Sequence, residues 1–277
     1  MSRVAKILIF DSGLGGLTVF AQIARLIPSA KLIYAADDAA FPYGGLAEDV
    51  LVARVVLVIG RLIDLSHPDA IVIACNTAST LALPHLRQKF ANVPFIGTVP
   101  AIKPAANLSR SGLISVLATP GTAAREYTRD LVRTYAAHCS VTLAASGELA
   151  SLAEAFMKGE AVSDDAVARE IAPAFVEAGD RRTDCVVLAC THYPLLLGEF
   201  QRLAPWPVEW IDPAPAIARR TLHVLRERDG FSEEPAVLAA SHYAIFTGTA
   251  RPGPDLLHVL RPYGLENAVL EPMPLAA

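Results

Sequence analysis

The chain has 277 residues, of which 53% are hydrophobic and 19% charged, so it can form one large or two medium-sized domains with a substantial core. A formal net charge of −4 at pH 7 gives no basic face and argues against a nucleic-acid partner. No uncharged apolar run reaches the roughly 18 residues of a membrane-spanning helix, and Asp11 interrupts the first run far below the length of a secretion signal. We therefore expect a cytoplasmic protein whose cysteines are reduced thiols without metal-binding spacing (Cys75, Cys139, Cys185 and Cys190).

Eight short apolar runs, each typical of a buried strand, lie along the chain, and helix-like segments separate most of them. This alternation predicts βαβ units, and therefore parallel sheets covered by helices on both faces. The strands are predicted at 6–11, 31–37, 69–75, 93–97, 112–118, 141–146, 184–190 and 207–212. The clearest helices are predicted at 48–65, 122–135 and 164–178, with an amphipathic helix over 213–229 and a short strand near 243–247.

Two of the predicted strands resemble each other, since "IVIAC" ends at Cys75 and "VVLAC" ends at Cys190. At one constant spacing the chain repeats Asp69 as Asp184, Ala74 as Ala189, Cys75 as Cys190 and Arg87 as Arg202. The match indicates an internal duplication, although any two buried strands share some residues. We predict an α/β fold of two similar parallel-sheet domains, formed by 1–98 with the returning segment 213–277 and by 99–212. The active site is expected in the crevice between them, where carboxyl ends of parallel strands bind ligands.

The two strand-end cysteines carry the clearest chemical signal. Each precedes a predicted helix start, where backbone N–H groups and the helix dipole favour a thiolate. Each is also followed by side chains that can bind a carboxylate, in Asn76-Thr77 and in Thr191-His192. Two thiols on opposite sides of a small ligand can take a proton from one face and return one to the other, which inverts a stereocentre without a cofactor. Two other interpretations stay open: buried structural cysteines, or a Cys190–His192 nucleophile–base pair.

Further candidates lie at other strand ends. In "FDSGLGG" (10–16), Asp11 can carry charge into the crevice while Ser12 and loop amides hold an anionic group, or either residue can cap the following helix. The glycines imitate a dinucleotide-binding loop only weakly, because the third one is replaced by Thr18. In "FPYGG" (41–45), Tyr43 is either a turn aromatic or a ligand contact.

Three residues in the second half are weaker candidates. Thr119 and Thr122 in "ATPGT" follow the fifth strand and can bind substrate or cap a helix, and the capping role is favoured. Glu154 in "SLAEAF" has the sequence setting of a solvated helix residue.

Taken in order, "DSGLGGLTV", "PYG", "ACNTAST" and "ACTHYPLL" resemble the glutamate racemases, a family of the cofactor-independent aspartate/glutamate racemase superfamily. His192 stands where aspartate racemases tend to carry a glutamate. The resemblance implies that Cys75 and Cys190 are the two catalytic acid/bases. It implies that Asp11 assists Cys75, that His192 assists Cys190, and that substrate is held by Asp11, Ser12, Tyr43, Gly44, Asn76, Thr77, Thr191 and His192.

The resemblance also suggests Glu154 as an acidic residue that supports the second thiol, although "AASGELASLAEAF" departs from the Cys-Pro-rich stretch of relatives. The implied activity is the interconversion of L- and D-glutamate by two-base proton transfer, with no cofactor or metal, supplying D-glutamate for peptidoglycan. A homodimer in the bacterial cytoplasm is implied as well. The alternatives are a racemase for another amino acid or a hydantoin, a binding protein without turnover, and a cysteine hydrolase.

Overall fold

The computed structural model describes residues 4–228, 231, 241–250 and 253–273. The chain forms two compact units, of which unit 1 comprises Met1–Thr98 and Ala214–Ala277 and unit 2 comprises Val99–Pro213. Among the helices within the described residues, none has the length and apolar character needed to cross a membrane.

Parallel strands and helices alternate through most of the chain. The strands are β1 Lys6–Asp11, β2 Lys31–Ala36, β3 Ala70–Ile73, β4 Phe95–Gly97, β5 Leu113–Ala118, β6 Ser140–Ala145, β7 Glu177–Ala178, β8 Arg181–Arg182, β9 Cys185–Ala189, β10 Glu209–Ile211, β11 Tyr243–Phe246 and β12 Asn267–Leu270. The helices are α1 Leu17–Leu26, α2 Glu48–Ser66, α3 Asn76–Lys89, α4 Ile102–Leu108, α5 Pro120–Ala123, α6 Glu126–Tyr135, α7 Leu149–Met157, α8 Asp164–Ile171, α9 Leu197–Leu203, α10 Ala214–Arg226 and α11 Pro254–Leu260.

Unit 1 is built on a parallel sheet with the strand order β12-β11-β2-β1-β3-β4. The central strand β1 is buried from Ile7 onwards because helices cover both faces of the sheet. Helix α2 buries a stripe at helical spacing against one face, formed by Leu51, Val55, Val58, Ile59 and Leu62. Burial of each such side chain stabilises the fold by about 1.5–3 kcal/mol.

Unit 2 holds a parallel sheet with the order β10-β9-β5-β6 and a separate antiparallel pair, β7 and β8. Its strand β9 is buried throughout, and Leu188 and Val186 belong to the core that α7, α8 and α9 cover. The prediction of an α/β fold with two parallel-sheet domains is confirmed.

The two sheets share one strand order, since β2-β1-β3-β4 in unit 1 corresponds to β6-β5-β9-β10 in unit 2. Asp69 precedes β3 and Asp184 precedes β9, and both carboxylates accept hydrogen bonds from backbone N–H groups near the start of a neighbouring strand. Asp69 accepts the backbone N–H of Lys6 at 2.8 Å, and Asp184 accepts those of Arg110 and Ser111 at 2.7 and 2.8 Å. Each carboxylate therefore ties the start of one strand to its neighbour, as an internal duplication predicts.

The match between Arg87 and Arg202 has no such equivalence. Arg87 donates to the carbonyl of Phe95 at 3.0 Å, whereas Arg202 forms an exposed ion pair with Asp164.

Two helix predictions were wrong in their extent. The helix predicted over 122–135 is divided, because Thr119 caps the short helix α5 and Arg125 takes an extended conformation before α6. The Thr128 hydroxyl donates to the carbonyl of Thr122 at 2.7 Å, which satisfies the end of α5 and makes the break stable.

The helix predicted over 164–178 ends at Ile171. Pro173 cannot donate the next helical hydrogen bond, so the chain passes through a 3₁₀ turn. It then enters the β7–β8 hairpin, where Gly179 has a φ of +65°. A positive φ at the first loop residue is typical of a tight two-residue hairpin. The C-terminal helix and the strand predicted near 243–247 correspond to α10 and β11.

Candidate active site

Cys75 lies at the carboxyl end of β3 and is the residue from which α3 starts. Two hydroxyls stabilise the end of β3, because Ser79 and Thr98 each donate to the carbonyl of Ile73 at 2.9 Å. The thiol is 6% exposed and sits at the N-terminus of a 14-residue helix. The orphan N–H groups and the dipole of that helix stabilise a negative charge, so the position favours a thiolate.

Ser12 and Asp11 lie beside this strand end, on β1 and the loop after it. The Ser12 hydroxyl is 4.0 Å from the Cys75 sulfur, within hydrogen-bond reach of sulfur. Asp11 has no exposed surface, and its Oδ2 accepts the amide of Gly16 at 2.8 Å. A side chain on Gly16 would bring its Cβ to 2.8 Å from the Asp11 Cβ. The close turn after β1 therefore depends on glycine and fixes the Asp11 carboxylate.

Asn76 buries both polar atoms of its side-chain amide. Its side chain is 2% exposed, yet within the described part of the chain neither Oδ1 nor Nδ2 makes a hydrogen bond. An unsatisfied buried polar group costs about 1–3 kcal/mol, and such a group in a folded protein calls for a functional explanation. An amide can donate to a carboxylate and accept from an ammonium group, so Asn76 suits an amino-acid ligand. Thr77, which follows it, is also buried.

Tyr43 points into the protein. It is 2% exposed, and its O–H donates to Oδ2 of Asp37 at 2.5 Å. Burial first, and then the Asp37 carboxylate, raise the pKa of this phenol well above its ordinary value. Gly44 follows in a half-buried 3₁₀ turn. Because the Tyr43 phenol is hydrogen-bonded to Asp37, the polar groups that Tyr43 and Gly44 can offer to a ligand are those of the backbone.

The Asp37 side chain and its partner Arg54 were missed as a pair by sequence reasoning. The sequence signal was a cation on the apolar stripe of α2, since Arg54 lies one residue before Val55 and three after Leu51. In the structure Arg54 is 7% exposed. A charged residue on such a stripe is rarely buried unless it is paired.

In unit 2, Cys190 follows β9 and is 7% exposed. Its sulfur is 3.9 Å from Nδ1 of His192, and Nε2 of His192 is 2.9 Å from Oε1 of Glu154. The carboxylate only accepts, so Nε2 carries a proton and Nδ1 is the nitrogen that serves the thiol. All three side chains are buried. This arrangement, the Cys190 cluster, has the order of groups that an acid/base relay requires.

Glu154 is buried, whereas its sequence setting is that of a solvated helix residue. It lies on the buried face of α7, and its second oxygen is 3.5 Å from the half-exposed Nζ of Lys158. Tyr193 packs nearby, and its pKa is raised well above its ordinary value by burial and, secondly, by negative charge on Cys190.

Thr119 caps α5, the role that sequence reasoning favoured, whereas Thr122 lies within that helix. Oγ1 of Thr119 accepts the Thr122 amide at 3.3 Å and donates to the Thr122 hydroxyl at 3.1 Å. Thr191 is buried between Cys190 and His192, at 3% exposure. No group of three potential metal ligands occurs among the described His, Cys, Asp and Glu residues.

Comparison with known proteins gives a consistent result. The family model described as Asp/Glu/Hydantoin racemase matches residues 16–221. The chain is 57% identical over 222 residues to the glutamate racemase of Brucella anthropi, with 80% of each chain covered. It is 52% identical over 269 residues to the glutamate racemase of Sinorhizobium medicae, with 97% of each chain covered.

Solved structures agree with this. The crystal structure of Escherichia coli glutamate racemase in complex with L-glutamate and the activator UDP-MurNAc-Ala has a TM-score of 0.88 and 39% identity, covering 98% of this chain and 99% of that one. Glutamate racemase from Thermus thermophilus in complex with β-chloro-D-alanine has a TM-score of 0.68 and 27% identity, covering 98% of this chain and 97% of that one.

Proposed function

Because this chain belongs to the Asp/Glu/Hydantoin racemase family, we propose that it is a cofactor-independent glutamate racemase that interconverts L- and D-glutamate. One observation carries the proposal. The same four-strand order occurs in both units, and in each unit a buried thiol follows the third strand of that order with its own polar partner. Two such thiols supply the two bases that a proton-transfer racemase needs.

The reaction requires two bases of similar type acting on one carbon. One cysteine, as its thiolate, takes the proton from Cα, and the other, as its thiol, gives a proton to the opposite face. Each turnover exchanges the protonation states of the two sulfurs, so the reverse reaction starts from the state that the forward reaction leaves. No redox change occurs, and no group other than a proton is transferred.

The main energetic difficulty is the weak acidity of the Cα–H bond of a free amino acid. Hydrogen-bond donors aimed at the substrate carboxylate stabilise the developing carbanion more than the ground state, and exclusion of water strengthens them. The Asn76 amide, buried without a hydrogen bond to the described chain, supports this role. We assign Thr77 and Thr191, the buried hydroxyl residues beside it and beside Cys190, to the same task, together with the backbone at Tyr43 and Gly44.

The two thiols have different assistants. We propose that His192 moves the Cys190 proton through Nδ1 while Glu154 stabilises the resulting imidazolium. For Cys75, the 4.0 Å approach of Ser12 and the fixed carboxylate of Asp11 support roles for these residues in setting the thiol's proton. Thr119 and Thr122 stay with a structural role, since their hydroxyls are engaged with each other.

The physiological setting follows from the activity. D-Glutamate is a building block of peptidoglycan, so we propose that the enzyme serves cell-wall synthesis in the cytoplasm of a bacterium and acts as a homodimer.

A proton-exchange assay tests the activity. The purified enzyme in D₂O is given L-glutamate, D-glutamate, aspartate or a 5-substituted hydantoin, with a chelator present, and both the α-proton signal and the optical rotation are followed. We expect loss of the α-proton and of optical rotation from either glutamate enantiomer. Exchange with aspartate or the hydantoin and none with glutamate would assign a different substrate, and hydrolysis of a test ester without exchange would assign a cysteine hydrolase.

A further inference from the structure

We propose that Arg54 is a positioning residue that acts through Asp37 to hold residues 41–45, here called the Tyr43 loop, in the conformation that binds substrate. The inference rests on the proposed function, because the resemblance gives Tyr43 and Gly44 a role in holding glutamate. It extends that role to Arg54 on α2 and to Asp37 after β2.

The Asp37 carboxylate is the centre of a buried network. It follows β2, has no exposed surface, and is fixed to β1 because its amide donates to the carbonyl of Asp11 at 2.8 Å. Arg54 grips it with two hydrogen bonds, from Nε to Oδ2 at 2.9 Å and from Nη2 to Oδ1 at 2.5 Å. Such a planar fork fixes both the position and the rotation of the carboxylate.

Two hydroxyls complete the coordination of this carboxylate. Tyr43 donates to Oδ2 and Thr247, from the end of β11, donates to Oδ1, each at 2.5 Å. The four lone-pair positions of the carboxylate are then filled by four donors. Asp37 therefore serves as an anchor for the side chains that donate to it.

Tyr43 is the only member of this described network that belongs to the Tyr43 loop, so it transmits the position of Asp37 to that loop. The raised pKa of the phenol keeps it protonated and able to donate. With the phenol turned inward, contacts between the loop and a substrate are made by backbone groups. Backbone groups adjust little by rotation, so their placement depends on the anchor.

A buried ion pair is a costly way to stabilise a fold, because desolvation of both charges offsets most of their attraction. Replacing a buried ion pair by apolar residues of similar volume is often neutral or stabilising. What the ion pair adds is a fixed direction for the Tyr43 hydroxyl. We therefore assign the pair to positioning and distinguish this role from general stability by experiment.

The test compares Arg54→Lys with Arg61→Lys. Both substitutions change an arginine on α2 that pairs with a carboxylate, but Arg61 pairs with Glu271 at the surface. Lysine keeps the charge of Arg54 and loses the fork. We expect the KM for glutamate to rise about tenfold or more, with kcat within about threefold of wild type, because binding groups shared by ground and transition states are displaced.

A second readout follows the loop itself. Hydrogen exchange at the amides of Tyr43, Gly44 and Leu46 should become faster in Arg54→Lys and stay at the wild-type rate in Arg61→Lys. Tyr43→Phe, which leaves the ion pair in place, should raise KM and loop exchange in the same way. The double variant should be no worse than the more severe single one, because both changes break one chain of contacts.

The outcomes separate the positioning role from the proposed function. If the wild-type enzyme does not racemise glutamate, the function is wrong, while loop exchange still tests the anchor. If Arg54→Lys and Tyr43→Phe both leave loop exchange and KM at wild-type values, the positioning role is wrong. A fall in kcat with unchanged KM and loop exchange would also overturn it. Should Arg54→Lys fail to fold, Tyr43→Phe carries both readouts.

Discussion

Nε2 of His192 lies 2.9 Å from Oε1 of Glu154, although the two residues are 38 positions apart in the sequence. Glu154 thereby selects the histidine tautomer, and only Nδ1 remains to exchange a proton with Cys190, 3.9 Å away. When the thiolate forms, the imidazole gains a positive charge beside a buried negative one. This carboxylate is the group that we propose stabilises the imidazolium.

Replacing Glu154 by Gln should lower kcat about 10²-fold, the lower end of the usual contribution of a positioned acid/base. Glutamine can still hydrogen-bond His192, but it carries no charge to stabilise the imidazolium. The measurement is kcat in both directions, with Glu126→Gln as the control, because Glu126 pairs with arginines on the exposed face of α6. Wild-type kcat in Glu154→Gln would remove Glu154 from the relay.

Replacing either Cys75 or Cys190 by Ala should abolish racemisation, because one face of the substrate then lacks its base. The remaining thiol should still exchange the α-proton of the enantiomer that it faces. The two variants should therefore show opposite enantiomer preferences in D₂O exchange. The control is Cys139→Ala, because Cys139 is half-buried and is distant in sequence from both Cys75 and Cys190. A cysteine variant that racemises glutamate near the wild-type rate contradicts the two-base scheme.

Much of the fold could be predicted from the sequence because buried parallel strands leave a strong signal. The apolar run before Asp11 and the one before Cys75 correspond to β1 and β3, and the matching runs in the second half correspond to β5 and β9. The failures have local causes, as at Pro173. Strand β12 was not predicted, because Asn267–Leu270 is a short edge strand with partly exposed side chains.

The candidate site was predictable where chemistry follows a strand end directly, as at Cys75-Asn76 and at Cys190-Thr191-His192. It was not predictable where partners come from different elements. Asp37 after β2 meets Arg54 on α2, and Glu154 meets His192 because α7 packs against the 3₁₀ turn Tyr193–Leu196. The spacing of these residues in the sequence does not indicate either contact, because both depend on how the helices pack in the tertiary fold.

Replacing Asn76 by Leu should lower activity and leave stability unchanged or higher. Leucine has the same number of side-chain heavy atoms and removes two buried polar atoms that have no hydrogen bond within the described chain, a relief of about 1–3 kcal/mol. Glutamate binding should weaken because the donor to its carboxylate is lost. Denaturant unfolding and the KM for glutamate are the two measurements. A variant that is destabilised by several kcal/mol and keeps its KM would give Asn76 a structural role instead.

Replacing Gly16 by Ala should disturb Asp11. The added Cβ would lie 2.8 Å from the Cβ of Asp11 and 3.2 Å from that of Ala74, and such overpacking costs about 1–3 kcal/mol. We expect lower stability and a fall in kcat as the carboxylate moves. Gly198→Ala is the control, since the added methyl meets no atom within 4 Å and an alanine in α9 should stabilise by up to about 1 kcal/mol. Wild-type kcat in a folded Gly16→Ala enzyme would show that the position of Asp11 is not critical.

Substrate choice is the finest point of the proposed function. Glutamate and aspartate differ by one methylene, and a pocket that discriminates by shape alone gains only about 1–3 kcal/mol. Donors placed for the longer side chain add to this, and we assign that role to Asn76, Thr77 and Thr191 with the Tyr43 loop. We therefore predict that glutamate is preferred to aspartate at least about tenfold in kcat/KM, or about 1.4 kcal/mol.

We predict that His192 contributes to this choice because it keeps the site free of one negative charge. A glutamate at this position, as aspartate racemases tend to have, would put a carboxylate next to that of Glu154, and two close carboxylates cannot both ionise without strong repulsion. His192→Glu should therefore depress glutamate turnover more than the binding of a neutral analogue such as glutamine. Adding Glu154→Gln to that variant should restore part of the stability lost to repulsion, but not the turnover. The measurements are kcat/KM for both amino acids and denaturant unfolding of the two variants. Equal kcat/KM for glutamate and aspartate in the wild-type enzyme would contradict the glutamate assignment and leave the chemistry of Cys75 and Cys190 in place.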